Sequence, residues 1–214
     1  MIYRLSQNST SFPDPKYADE NGLLAFGGDL GAKRLIAAYR QGIFPWPQQN
    51  LSLLWFSPNP RAVLYPDNFR LTRSLKRSLK RYEIKVDTNF EKVITMCGDR
   101  SGTWINSEMI EAYCELFRLG FAHSIESYDE KGELAGGLYG VCIGRVFCGE
   151  SMFTVKKDAS KAALYELCRI ALKKGAIVDC QIINPHLLSL GAEEISRDKF
   201  LRILDSLGGE SPIF

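Results

Sequence analysis

The sequence is poor in the residues that hold metal ions and disulfide frameworks. Its 214 residues include two histidines, His123 and His186, and its six cysteines form no Cys-x-x-Cys pair. This set predicts buried, reduced thiols and argues against a zinc site. We therefore expect neither a metal nor a disulfide.

Long apolar runs and nucleotide-binding loops are also missing. No apolar stretch approaches the roughly 18 residues of a membrane span, and the first eight residues lack the order of a signal peptide. Gly27-Gly28 has neither the Gly-x-Gly-x-x-Gly spacing nor a Walker lysine. These absences predict a cytoplasmic protein that uses no membrane and no cofactor. We also expect it to act as a monomer.

Acidic residues are absent from the segment 70–81. That segment carries six cations, whereas the rest of the chain has 21 basic and 25 acidic residues, a net charge of −4. Leu71, Leu75 and Leu79 recur at helical spacing, which predicts a helix with its leucines on the core and its cations outward. A solvated basic face is one interpretation; an anionic partner is favoured, because an acid-free face forms no stabilising i,i+4 ion pairs.

Proline punctuation at Pro58-Asn59-Pro60 predicts a domain boundary. Residues 1–59 are rich in proline, glycine and aromatics and predict a small N-terminal domain. Residues 60–214 alternate strand and helix patterns, including a strand over 176–183 after a helix over 159–174. This order predicts an α/β (α+β) fold with a mixed sheet.

A predicted β-hairpin carries an isolated carboxylate. Two apolar, glycine-studded runs flank the turn Gly144-Arg145, and Glu150 lies in the second run. An unpaired polar group in a core strand costs about 1–3 kcal/mol, so Glu150 must be hydrogen-bonded, lie at an edge, or be functional. Beside it, Gly149 leaves room for a bulge or for a close approach of another group to the backbone.

This hairpin also carries a family resemblance. Gly137-Leu138-Tyr139-Gly140-Val141 and Phe147-Cys148-Gly149-Glu150-Ser151-Met152-Phe153 resemble the signature of the leucyl/phenylalanyl-tRNA–protein transferases. Further matches follow in order along nearly the whole chain, among them Gly42-Ile43-Phe44-Pro45-Trp46, Thr103-Trp104-Ile105, Asp158-Ala159-Ser160-Lys161, Asp179-Cys180-Gln181 and Pro185-His186-Leu187.

The resemblance implies an enzyme that moves Leu or Phe, and less readily Met, from aminoacyl-tRNA to a protein that begins with Arg or Lys. Such a transfer marks the acceptor for N-terminal-residue-dependent degradation. It also implies an acetyltransferase-like (GNAT-like) fold for residues 60–214.

Three polar residues are the candidates for catalysis. Strand alternation over 176–183 predicts that Asp179 and Gln181 share one face, with Cys180 on the other. They could hold the acceptor's ammonium and carbonyl, with Asp179 orienting Gln181, and the resemblance adds Glu150. Because an amide is a poor base, the proton would leave through Asp179, water or the tRNA ribose hydroxyl. A turn hydrogen bond is the plain structural alternative for Asp179.

Binding residues follow from the same resemblance. The apolar candidates for an amino-acid pocket are Leu138, Phe147, Met152, Leu164 and Val178, although pattern alone favours core packing for all of them. The resemblance reverses that preference for Phe147 and Met152, and it makes Trp46 and Trp104 candidates to contact the terminal adenosine. The cations expected on tRNA phosphates are Arg73, Lys76, Arg77, Lys80 and Arg81.

Two rival functions remain open at this point. A coenzyme A-dependent N-acetyltransferase would need a glycine-rich loop at a helix start, and residues 154–161 contain no glycine. A non-catalytic RNA-binding protein would explain the basic helix but gives no reason for Glu150 or for the pair Asp179 and Gln181.

Overall fold

The computed structural model describes residues 2–47, 53–99 and 103–214 and contains two sheets in those ranges. The smaller sheet has the strand order β1-β2-β4-β3 and lies in the first part of the chain. Its elements are β1 (Tyr3–Leu5), β2 (Leu23–Gly27), β3 (Phe44–Pro45) and β4 (Leu54–Phe56), with helix α1 (Ala32–Tyr39) between β2 and β3.

The larger sheet has seven strands in the order β11-β5-β10-β9-β8-β7-β6. These strands are β5 (Arg61–Leu64), β6 (Glu83–Val86), β7 (Ala122–Tyr128), β8 (Leu134–Ile143), β9 (Val146–Thr154), β10 (Ile177–Gln181) and β11 (Glu193–Ile195). The helices are α2 (Arg73–Leu79), α3 (Phe90–Gly98), α4 (Ser107–Arg118), α5 (Ala159–Lys174), α6 (Pro185–Leu190) and α7 (Arg197–Leu207).

Helices cover both faces of the larger sheet. Apolar side chains of α3, α4 and α7 pack on one face in a core that also includes α1 and the smaller sheet. Helix α5 packs on the other face, against β8, β9 and β10. The mixed α/β fold is therefore confirmed; the division at residue 59/60 stays a prediction, although it falls between the two sheets.

Helix α2 is the helical part of the basic segment. Thr72 caps it by accepting a hydrogen bond from the Leu75 amide, and Leu75 is buried as predicted. Leu71 precedes the cap and is exposed, so its predicted place on the inner face is wrong. The outward position of the cations is confirmed, because all six lie on the surface.

No helix within the described ranges is long and apolar enough to span a membrane. The longest of them, α5, has 16 residues and ends at Gly175, whose left-handed backbone (φ 63°) suits glycine.

Candidate active site

A cavity opens where two parallel strands stop pairing. Strands β9 and β10 pair from Val146 with Ile177 to Cys148 with Asp179, and their ladder ends there. Just beyond this point lies a cavity of about 470 Å³, within the usual range for small-molecule sites. The residues that follow the last pair on each strand, Glu150 and Gln181 among them, line it.

The walls of the cavity are mostly apolar. All seven residues predicted for the amino-acid pocket and the adenosine contribute to the lining: Trp46, Trp104, Leu138, Phe147, Met152, Leu164 and Val178. They come from β8, β9, β10, α5 and the segments around β3 and before α4. The predicted residues are thus brought together by the fold, which their sequence positions alone do not require.

The two tryptophans form an aromatic wall. The ring centroids of Trp46 and Trp104 lie 6.5 Å apart, and Trp46 also contacts Phe56 edge-on at 5.9 Å. Both indoles are half-buried, so each has one part packed and another open to the cavity. Phe44 and Pro45 of β3 also line the cavity beside this wall.

Glu150 occupies a β-bulge. Tyr139 pairs with Ser151 and Gly140 with Gly149, so Glu150 is the extra residue of β9. A bulge leaves its extra residue outside the ladder and redirects the side chain. Gly140 is required opposite, because a Cβ there would lie 2.3 Å from the Cys148 carbonyl oxygen. The bulge beside Gly149 is therefore confirmed, and it places a carboxyl group in an apolar cavity.

The carboxyl group of Glu150 is buried and hydrogen-bonded on both oxygens. Gln181 Nε2 donates to Oε1 at 2.8 Å, and the Tyr113 hydroxyl donates to Oε2 at 3.0 Å. The hydroxyls of Tyr113 and Tyr39 lie 2.5 Å apart, which extends the chain of hydrogen bonds to α1. Burial raises the pKa of Glu150 to about 7, although the hydrogen bonds from Tyr39, Tyr113 and Gln181 favour the ionised form.

Asp179 forms a buried ion pair instead of facing the cavity. Arg61 Nε and Nη2 donate to its two oxygens at 2.8 and 2.7 Å, and neither side chain is more than 1% exposed. Arg61 Nη1 donates to the Gly42 carbonyl, and the guanidinium stacks between Phe44 and Phe200, 4.9 and 4.5 Å from their centroids. Buried charges need such complete pairing.

A second bulge explains why strand alternation fails here. Asp179 pairs with Val63 and Gln181 with Ala62 of β5, so Cys180 is the extra residue. Gln181 adopts a left-handed backbone (φ 62°), and its backbone N–H donates to Asp179 Oδ1 at 3.0 Å. Consequently Cys180 and Gln181 both line the cavity, and the prediction that Asp179 and Gln181 share a face is wrong.

This geometry corrects the expected role of Asp179. With no exposed surface, Asp179 offers no place for an acceptor's ammonium group. Asp179 accepts a hydrogen bond from the backbone N–H of Gln181, which matches the other expected role, the orientation of Gln181.

Sequence reasoning missed three residues of the hydrogen-bond network: Arg61, Tyr39 and Tyr113. Arg61 gave a usable signal, since a cation at the start of an apolar strand needs a partner. The two tyrosines lie on apolar helix faces, where the pattern indicates core.

The predicted phosphate-binding cations lie on α2 and just after it. All five are exposed, and in the described part of the chain none has a carboxylate within ion-pair distance. Helix α2 is fixed to α5 by the Ser78 hydroxyl, which donates to Asp158 Oδ2 at 2.8 Å. Since α5 also supplies Leu164 to the cavity, the basic face and the cavity share one rigid support.

Comparisons with known proteins agree on one family. The family model for leucyl/phenylalanyl-tRNA protein transferase matches residues 63–205, and the model for its N-terminal domain matches residues 28–59. The leucyl/phenylalanyl-tRNA–protein transferase of Idiomarina loihiensis is 50% identical, with 96% of this chain and 90% of that protein covered. That of Legionella pneumophila strain Corby is 52% identical, with 91% and 90% covered.

One solved structure shows a much weaker similarity. A conserved protein of unknown function from Bacteroides thetaiotaomicron covers 87% of this chain and 65% of its own, at 11% identity and a TM-score of 0.43. A likeness of that size carries no argument.

The matches to sequence families define the class of the protein: it is an aminoacyltransferase. The chain belongs to the leucyl/phenylalanyl-tRNA–protein transferase family, since one family model spans more than half of it and several relatives are about 50% identical.

Proposed function

We propose that the chain transfers Leu or Phe, and less readily Met, from aminoacyl-tRNA to the α-amino group of proteins that begin with Arg or Lys. The transfer would mark those proteins for degradation, and the enzyme would act as a monomer in the cytoplasm. The observation that carries the proposal is the apolar cavity next to the hydrogen-bonded carboxyl group of Glu150.

The donor would enter with its side chain in the apolar part of the cavity. Leu138, Phe147 and Met152 offer an apolar wall, and the unbranched, flexible side chain of Met152 can adapt to Leu, Phe or Met. The terminal adenosine would lie against Trp46 and Trp104, because every base has a π-face that stacks on an aromatic ring. Upstream phosphates would reach the cations of α2, which supply affinity without reading sequence.

The reaction needs alignment and a proton acceptor. The acceptor's ammonium must first lose a proton, and its nitrogen then bonds to the ester carbonyl carbon while the bond from that carbon to the ribose oxygen breaks. The nitrogen loses a second proton, and the ribose oxygen gains one. Glu150, whose pKa is about 7, would accept a proton from the ammonium near neutral pH. The side-chain amide of Gln181 would position the reactants.

Acceptor choice would come from charge. The Arg61–Asp179 pair is neutral as a whole, so Glu150 is the carboxyl group that the cavity-lining residues offer to a cation. An N-terminal Arg or Lys brings two positive charges towards it, and a neutral first residue brings one. An acceptor that lacks the second charge leaves the partly desolvated carboxylate less well compensated, so its binding is disfavoured.

The direct test is incubation with radiolabelled Leu-tRNA and three otherwise identical proteins that begin with Arg, Lys or Ala. Acid-stable label should appear on the first two and much less on the third. Glu150→Gln should lower the rate about 10²–10⁴-fold, the usual effect of a general base. Glu111→Gln, an exposed change on α4, serves as the control. Absence of acid-stable label on every acceptor would refute the proposal.

A further inference from the structure

Two residues have no part in the chemistry described so far, one that lines the cavity and one a helical turn away from a lining residue. His186 on α6 lines the cavity, and Lys161 lies in the first turn of α5, three residues before the lining residue Leu164. Residues three apart on a helix lie on the same face. Both belong to sequence matches, Asp158-Ala159-Ser160-Lys161 and Pro185-His186-Leu187, whose purpose the amino-acid pocket does not explain.

Both side chains have hydrogen-bond donors to spare. Lys161 Nζ donates to Asp158 Oδ1 at 3.1 Å, which uses one of its three N–H groups, and its side chain is 34% exposed. No described residue bonds to either ring nitrogen of His186, which is exposed. Burial of part of the ring, and to a smaller extent the Lys161 ammonium, lowers the pKa of His186. A neutral imidazole beside a cation can still donate one N–H bond.

The same corner of the molecule leads to the basic segment. The Arg70 amide donates to the Leu190 carbonyl at 2.9 Å, and Arg70 Nη1 lies 3.4 Å from the Leu188 carbonyl. Helix α6 therefore lies between the cavity and the first cation of segment 70–81. A chain of phosphates that leaves the cavity past His186 would meet Arg70 and then the exposed cations of α2.

We propose that Lys161 and His186 form a subsite for the phosphodiester that precedes the terminal adenosine of the donor tRNA. The proposal rests on the proposed function, because it places that adenosine in the cavity. Lys161 supplies the positive charge and His186 a neutral donor, while Arg70 guides the next phosphates towards α2. Ammonium and N–H donors around a phosphate oxygen form the stronger, charge-assisted kind of hydrogen bond.

The test compares two minimal donors that differ by one phosphodiester. One is the phenylalanyl ester of adenosine, and the other is the same ester on cytidylyl-(3′→5′)-adenosine. With an acceptor that begins with Arg, the native chain should use the dinucleotide donor with a kcat/KM about tenfold higher, the effect of one charged hydrogen bond. Lys161→Met keeps the aliphatic stem and should remove most of that advantage while the adenosine ester reacts as before. His186→Phe should reduce the advantage further.

Two control variants separate charge from structure. Lys161→Arg should keep the advantage, because it keeps a cation that can pair with Asp158. Lys173→Met, an exposed change at the other end of α5, should leave both donors unaffected.

Three results would overturn the subsite: no advantage of the dinucleotide in the native chain, an advantage that persists in Lys161→Met, or an equal loss with both donors in that variant. The last would mean that Lys161 acts only through Asp158 and the docking of α2. Failure of the native chain to use either donor, or aminoacyl-tRNA, would instead refute the proposed function.

Discussion

Replacing Glu150 by glutamine should stabilise the fold above neutral pH although it removes the proposed proton acceptor. Glu150 is buried among Tyr113, Gln181 and apolar side chains. Glutamine has nearly the same shape, and its amide oxygen can still accept from Gln181 Nε2. Its NH₂ group can donate to the Tyr113 hydroxyl, which then donates to Tyr39 across their 2.5 Å contact.

The magnitude follows from the pKa of the carboxyl group. Burial raises the pKa of Glu150 from 4.5 to about 7. Between these values the folded chain binds more protons than the unfolded chain, so the stability that the protonated carboxyl group contributes is present below pH 4.5 and lost as the pH rises to about 7. At about 1.36 kcal/mol for each pH unit, the loss is about 3 kcal/mol. Glutamine does not ionise, so the Glu150→Gln protein does not lose this stability.

Urea unfolding of both proteins near pH 4.5 and near pH 8 measures this difference. The free energy of unfolding of Glu150→Gln relative to the native chain should increase by about 3 kcal/mol between the two conditions. Glu111→Gln, an exposed carboxyl group on α4, should show no such increase. A constant difference between Glu150→Gln and the native chain would show that Glu150 titrates normally, and the proposed proton transfer near neutral pH would lose its basis.

Three further predictions concern the Arg61–Asp179 ion pair, the cavity wall at Met152 and the exposed cations near α2. Arg61→Met should destabilise the fold by about 3–5 kcal/mol in urea unfolding, because it leaves Asp179 charged and unpaired. Adding Asp179→Leu should recover much of the loss. A cost of about 1 kcal/mol or less for Arg61→Met would contradict the pairing. Met152→Phe should narrow the cavity and lower kcat/KM about tenfold more for a Phe donor than for a Leu donor, and an equal decrease would remove Met152 from the side-chain pocket. Removing three cations on α2 and just after it should flatten the dependence of tRNA affinity on log salt by about 0.7–0.9 per contact, whereas removing three other exposed lysines should not. The test set is Arg73, Arg77 and Lys80, and the control set is Lys131, Lys173 and Lys174. An unchanged slope for the test set would exclude α2 from the tRNA interface.

Local patterns predicted much of this protein. The amphipathic repeat and Gly175 predicted α5, the apolar runs around Gly144-Arg145 predicted the hairpin of β8 and β9, and the acid-free segment predicted the exposed cations of α2. Each depends on residues within a few positions of one another, where helical and strand periodicity act directly. The family resemblance favoured a pocket over core packing for Phe147 and Met152, and both line one cavity.

Only the tertiary structure decided how the polar residues divide their roles. Because Asp179 and Gln181 are two residues apart, strand alternation predicted that they share a face. In the structure, a bulge between them lets Asp179 pair with Arg61, 118 positions earlier in the chain. Gln181 instead lies beside Glu150. Tyr39 and Tyr113 meet near Glu150 because α1 packs against α4, which itself packs on the larger sheet. No local pattern encodes these contacts, since the need to pair a buried charge or hydroxyl specifies that a partner exists and leaves the packing of distant elements to determine which residue it is.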